Sequence, residues 1–169
     1  MPNHWHMVLW PEGDHDLTKF LGWMSETHAC RWHLAHGTRG TGPVYQGRFK
    51  GIPVQTDDYL LTVNRYVERN AVRAGLATRA EDWPWCRAST IIGSDMPPLH
   101  PWPLPRPPNW SALLNDPEPE NILKTLRECV SKSKPYGSDR WVDDVVERLG
   151  WTTGLRPVGR PKTGKSHPE

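Results

Sequence analysis

The sequence predicts an α+β fold: a strand-bearing N-terminal domain, a C-terminal helical extension and a flexible basic tail. Three observations carry this. Residues 3–10, Asn-His-Trp-His-Met-Val-Leu-Trp, hold nothing that breaks an extended chain and lie between Pro2 and Pro11. Four later stretches repeat apolar residues at the three-to-four spacing of a helix. Between them, residues 97–108 are too rich in proline for regular structure beyond polyproline II. The chain divides accordingly into a domain at 1–93, a Pro-rich linker at 94–118, a helical extension at 119–152 and the tail at 153–169.

In the opening strand His4, His6, Val8 and Trp10 share one face, and Asn3, Trp5, Met7 and Leu9 the other. Both faces are largely apolar, which predicts an interior strand covered on both sides. Residues 16–36 read as a helix through Leu17, Phe20, Leu21, Met24, His28, Arg31 and Trp32, with Gly37 as its stop. Residues 40–43 form a loop. A second strand spans 44–54, interrupted by Gly47 and Gly51. Thr56 can cap the next helix, with Asp57 and Asp58 in its first turn and Gly75 beyond its end. Residues 82–85, Asp-Trp-Pro-Trp, form a turn with aromatic anchors. Two short helices follow at 120–131 and 139–149, the second with Ser138 as cap and Gly150 as stop.

Composition narrows the class. The chain has 169 residues, 36% of them hydrophobic, with a mean hydropathy of −0.70. One domain, with or without an appendage, is the expected size. No run approaches the roughly 18 apolar residues of a membrane helix, so no membrane partner is expected. No apolar N-terminal block resembles a signal peptide. Cys30, Cys86 and Cys129 are isolated, which speaks against a disulfide framework and for a cytoplasmic location. The net charge of +2 announces no polyanion by itself, but Arg156, Arg160, Lys162 and Lys165 face only Glu169 in the last stretch.

Three constellations could carry chemistry. His4 and His6, on one face of a strand, can ligate one divalent ion, or they can serve packing and hydrogen bonding. Tyr66 and Asn70 lie four apart on a helix, with Tyr59 and Val63 on the same side. A phenol can act as a nucleophile, although its ordinary pKa near 10 means it needs help. A bound cation would polarise the phosphate it attacks, and the Asn70 amide oxygen could complete that ion's coordination. The alternative is a half-buried core tyrosine and a helix-end asparagine. In the tail, Gly159-Arg160-Pro161-Lys162 resembles an AT-hook, whose arginine enters a narrow minor groove; a solvated basic terminus is the alternative. Arg48, Lys50, Arg65, Arg69 and Arg73 could contact phosphates. No GxSxG or P-loop pattern occurs.

Taken in order, these pieces resemble a known family. The opening Met-Pro-Asn-His-Trp-His is similar to the HUH motif of single-tyrosine transposases. Residues 45–50, Tyr-Gln-Gly-Arg-Phe-Lys, resemble the second block of their REP-associated branch. Residues 66–76, Tyr-Val-Glu-Arg-Asn-Ala-Val-Arg-Ala-Gly-Leu, resemble its tyrosine helix. The Asp-Trp-Pro-Trp turn, the Lys-Pro-Tyr-Gly-Ser stretch at 134–138, Trp141 and Gly159-Arg-Pro161 match further segments. The resemblance implies a partial ferredoxin-like HUH catalytic domain at 1–93. An opening strand, a helix and a further strand would precede Met1, so the chain reads as N-terminally truncated. Ala71 stands where the branch commonly has proline.

The resemblance also implies a DNA endonuclease and strand transferase acting in DNA transposition. His4, His6 and Asn70 would hold Mg2+ or Mn2+. Tyr66 would attack single-stranded DNA beside a hairpin, giving a 5′-phosphotyrosine and a free 3′-hydroxyl. Single-stranded or hairpin DNA is the implied partner, and a homodimer is the assembly left open. Two other readings stand beside it: an inactive remnant that only binds DNA, and an unrelated HxH metal-dependent hydrolase.

Overall fold

A computed structural model describes residues 1, 4–89 and 99–151. It overturns the expected α+β, ferredoxin-like architecture. Helix makes up 49% and strand about 1%, with no sheet among the described residues. The physical reason lies in the partners that a strand requires. An extended segment is stabilised when neighbours take its backbone N–H and C=O groups. Residues 4–10 run without regular structure, and residues 44–54, broken by Gly47, Gly51 and Pro53, offer them no ladder. The expected interior burial fails with it: Met7, Val8, Leu9 and Trp10 are exposed, Trp10 by 54%. Among the described residues, one β-bridge joins Val54 to Tyr136 in parallel.

The helices fall close to their expected places. Helix α1 spans Asp16–His36 and ends on Gly37, whose φ of 63° is costly for residues with a Cβ and whose N–H bonds to His33. Its expected apolar face is not a core face, since Leu21 alone is buried and Phe20 and Trp32 are exposed. Helix α2 spans Asp58–Glu68. Asp57 rather than Thr56 caps it, its Oδ1 accepting from the Tyr59 N–H at 2.9 Å. A junction at Arg69 leads into the short helix α3, Asn70–Arg73. Ala71, the departure from the resembled motif, is 1% exposed, so a small side chain suits the space. Trp85, expected as an anchor, is 77% exposed.

Residues 110–118, read as linker, are part of the packed body. Trp110–Asn115 forms helix α4, whose Trp110 and Leu114 join Ala80 in a cluster covered by Leu61, Val72 and Trp102. Helices α5 (Glu120–Lys132) and α6 (Asp139–Leu149) are joined by residues 133–138. Ser138 stands at the expected cap position, but its Oγ donates to Gln55 Oε1 at 3.0 Å. Leu126, Cys129 and Tyr136 make a second cluster with Val54, Tyr59, Val63 and Tyr66. The α2–α3 unit thus sits between two apolar clusters, Leu61 and Val72 facing one, and Tyr59, Val63 and Tyr66 the other. Among the described residues no helix is long and apolar enough to cross a membrane.

Candidate active site

Alternation along an extended chain puts His4 and His6 on one side, and the fold brings that side against α2 and α3. The two imidazole centroids lie 5.2 Å apart at 79°. The His6 ring meets the Tyr66 ring edge to face at 5.7 Å. Asn70 Nδ2 lies 3.5 Å from His4 Nε2. The four side chains that the spacing singled out, His4, His6, Tyr66 and Asn70, therefore meet at one place, although the sheet expected to carry the histidines is absent from the described residues.

Arg73 ties this group together. Its guanidinium carbon lies 4.0 Å from the Tyr66 ring centroid. Its Nη2 donates to Asn70 Oδ1 at 2.9 Å and to the Tyr66 carbonyl at 3.1 Å. In this rotamer the amide hydrogens of Asn70, not its oxygen, face His4. Arg73 Nη1 pairs with Glu118 Oε1 at 3.2 Å, and Arg69 Nη1 pairs with Glu118 Oε2 at 2.7 Å. Burial, helped by the His4 and Arg73 charges, holds the His6 imidazole down to about 4. His6 is therefore neutral at ordinary pH, with a lone pair to offer.

The arginines divide sharply. Arg65 and Arg69, expected on phosphates, are committed to the fold. Arg65 Nε donates to the Leu113 carbonyl at 2.8 Å and its Nη2 to the Asp116 carbonyl at 3.0 Å. Arg69 is buried on Glu118 and the Asp116 carbonyl. Both guanidiniums are held by protein acceptors, although the buried Arg69 Nε has no hydrogen-bond partner among the described residues. Arg73 reaches the site but bridges protein groups. Arg48 and Lys50 are exposed. Arg160, Lys162 and the whole 153–169 tail lie outside the described residues, as does the 94–98 part of the expected linker.

Glu118 escaped the sequence reading because it sits among prolines, in a stretch read as linker. A signal was present: Arg65, Arg69 and Arg73 recur at helical spacing, and such a row needs counter-charge once buried. A second missed carboxylate is Glu68, also buried. Its Oε2 accepts from Trp110 Nε1 at 3.5 Å, its Oε1 has no hydrogen-bond partner, and burial pushes its pKa up.

The residues can be tested against a divalent ion. Among the described residues no group of three His, Cys, Asp or Glu side chains gathers to hold a metal. Two imidazoles sharing an ion at about 2.1 Å per nitrogen have ring centres roughly 5 Å apart, close to the spacing of His4 and His6. A donor set of two imidazoles and one carboxamide suits Mn2+ better than Mg2+, which favours oxygen. The pair fits such an ion. Comparison with family models, with curated proteins and with solved structures finds no match for this chain.

Proposed function

We propose that the protein is a metal-dependent DNA nicking and strand-transfer protein of the transposase type, acting on single-stranded DNA beside hairpins. The convergence of His4, His6, Tyr66 and Asn70 carries this reading. His4 and His6 would hold the ion; Asn70 Oδ1 would join them as the third protein ligand after a flip of the amide that releases it from Arg73 Nη2. When bound, the ion would polarise the scissile phosphate and offset the charge that develops on it. The phenolic oxygen of Tyr66 would form the new bond to phosphorus while the bond to the 3′ oxygen breaks. The phenol's proton passes through solvent to the released 3′-hydroxyl. The 5′ phosphate stays on Tyr66, and a later attack by a 3′-hydroxyl reverses the step and rejoins strands. Arg73 would hold the Tyr66 ring in register, since positioning contributes heavily to a displacement at phosphorus.

The test is a denaturing gel with a labelled hairpin oligonucleotide and Mn2+. The chain should carry the label covalently, and Tyr66→Phe should not. An adduct formed by Tyr66→Phe would overturn the assignment. Binding without any adduct would instead indicate a DNA-binding remnant, and metal-dependent hydrolysis of a non-nucleic substrate would indicate the unrelated HxH hydrolase.

A further inference from the structure

The Asn70 side chain has one acceptor atom, and Arg73 holds it: Arg73 Nη2 donates to Asn70 Oδ1 at 2.9 Å. The other end of the amide faces the histidines, with Asn70 Nδ2 3.5 Å from His4 Nε2. An amide nitrogen can only donate, so His4 Nε2 is the acceptor in that contact. The two atoms with which these residues would ligate a cation are therefore both engaged inside the protein.

The amide does not turn freely. Half a turn would release Oδ1 and His4 Nε2 together, but it would set the Asn70 N–H groups against Arg73 Nη2. A guanidinium has donors and no acceptor, so two donors would face each other. Arg73 is itself held from several sides. Its Nη2 also donates to the Tyr66 carbonyl at 3.1 Å, its Nη1 pairs with Glu118 Oε1 at 3.2 Å, and its guanidinium carbon lies 4.0 Å from the Tyr66 ring centroid. Charge points to what could release it. Glu118 serves Arg69 as well as Arg73, so one carboxylate meets two guanidiniums. The Arg73 side chain keeps 18% exposure against 8% for Arg69, so of the two it is the one open to an anion from outside.

We propose that Arg73 is an internal competitor of the metal ion, holding the Asn70 oxygen until a phosphodiester of the bound strand accepts from Nη2 in its place. The amide then turns, and Asn70 Oδ1 and His4 Nε2 become free together. Ion and strand should consequently bind with positive coupling, each raising the other's affinity by the same factor. The inference rests on the metal-dependent cutting reading for its two ligands, and it adds the order in which the chain's own residues give way.

Calorimetric titration with Mn2+ tests it on the Tyr66→Phe chain, which keeps an aromatic ring against Arg73 and lacks the nucleophile. Arg73→Gln supplies an acceptor where the guanidinium has none, so Mn2+ should bind about tenfold more tightly, the scale of one hydrogen bond to a charged group. Loss of a positive charge also favours a cation, so the deciding measurement is a cycle with Asn70→Ala. The gain should vanish in that background. A gain of equal size there would make Arg73 a repelling charge only and overturn the proposal. A second arm leaves Arg73 in place. Oligo(dT) should tighten Mn2+ binding about tenfold more in the Tyr66→Phe chain than in the same chain carrying Asn70→Ala, a comparison in which direct phosphate–ion contact cancels. Oligo(dT) with uncharged methylphosphonate linkages should not tighten it. Equal tightening in both chains, or tightening by the uncharged strand, would overturn the proposal.

The two readings fail separately. Mn2+ binding indifferent to Arg73 and to the strand, with adducts still formed by the parent chain, would remove the competitor role alone. The full coupling pattern without any adduct would remove the cutting reaction alone. Absence of Mn2+ binding in every variant would remove both.

Discussion

Replacing Glu118 by glutamine probes the scaffold behind the tyrosine. Glu118 is 8% exposed and neutralises two guanidiniums at once, Arg69 at 2.7 Å and Arg73 at 3.2 Å. Removing one partner of a buried ion pair costs about 3–5 kcal/mol, because the remaining charge is stranded. Here the lower end applies. The Arg73 side chain keeps 18% exposure, so water screens part of its charge, and Arg69 retains the Asp116 carbonyl. The expected loss is about 3 kcal/mol, a large share of the roughly 5–15 kcal/mol that stabilises a typical domain. In urea, with a slope of about 2 kcal/mol/M, the unfolding midpoint should fall by roughly 1.5 M. A double-mutant cycle with Arg73→Ala should show coupling above about 1 kcal/mol. A midpoint shift below about 0.3 M would refute the view that this carboxylate anchors the arginine row.

Other outcomes follow from the same contacts. Burial raises the Glu68 pKa, so the folded state holds that proton more tightly than the unfolded chain, and stability falls as pH rises from the ordinary carboxyl range through the raised value. Glu68→Gln should therefore raise the melting temperature at neutral pH, and the gain should fade as pH falls toward about 4. A Cβ on Gly137 would strike the Trp141 ring and lie 2.8 Å from Gln55 Oε1, so Gly137→Ala should destabilise by about 1–3 kcal/mol in chemical denaturation. His6→Ala should abolish Mn2+ binding by calorimetry while leaving the helix content by circular dichroism unchanged, because His6 belongs to no helix.

Much of the helical part was legible. The three-to-four spacing placed α1 and α6 at their observed bounds, because Gly37 and Gly150 take the left-handed conformation expected of helix stops. The strands were not legible in the same way. Alternation in residues 3–10 describes a chain that can extend, but whether it joins a sheet depends on distant partners, and that segment found none among the described residues. Proline density in residues 94–118 hides Trp110 and Leu114, which bury a short helix between proline-rich flanks. Tyr66 and Asn70 share a helix face by local geometry, and the His4–His6 pair reached them without its expected sheet. Glu118 and the structural duty of Arg65 and Arg69 needed tertiary contacts that no local pattern reveals.

The bridge at Val54 has a wider meaning. Backbone bonds from Gln55 to Tyr136 at 3.0 Å and from Tyr136 to Pro53 at 2.9 Å sew the segment between α5 and α6 to the residues just before α2. The cluster around Leu126, Cys129 and Tyr136 then supports Tyr59, Val63 and Tyr66 from below. Excising α5 and α6 would remove the apolar support beneath Tyr66, so the position of that ring depends on residues far along the chain from the histidines it meets.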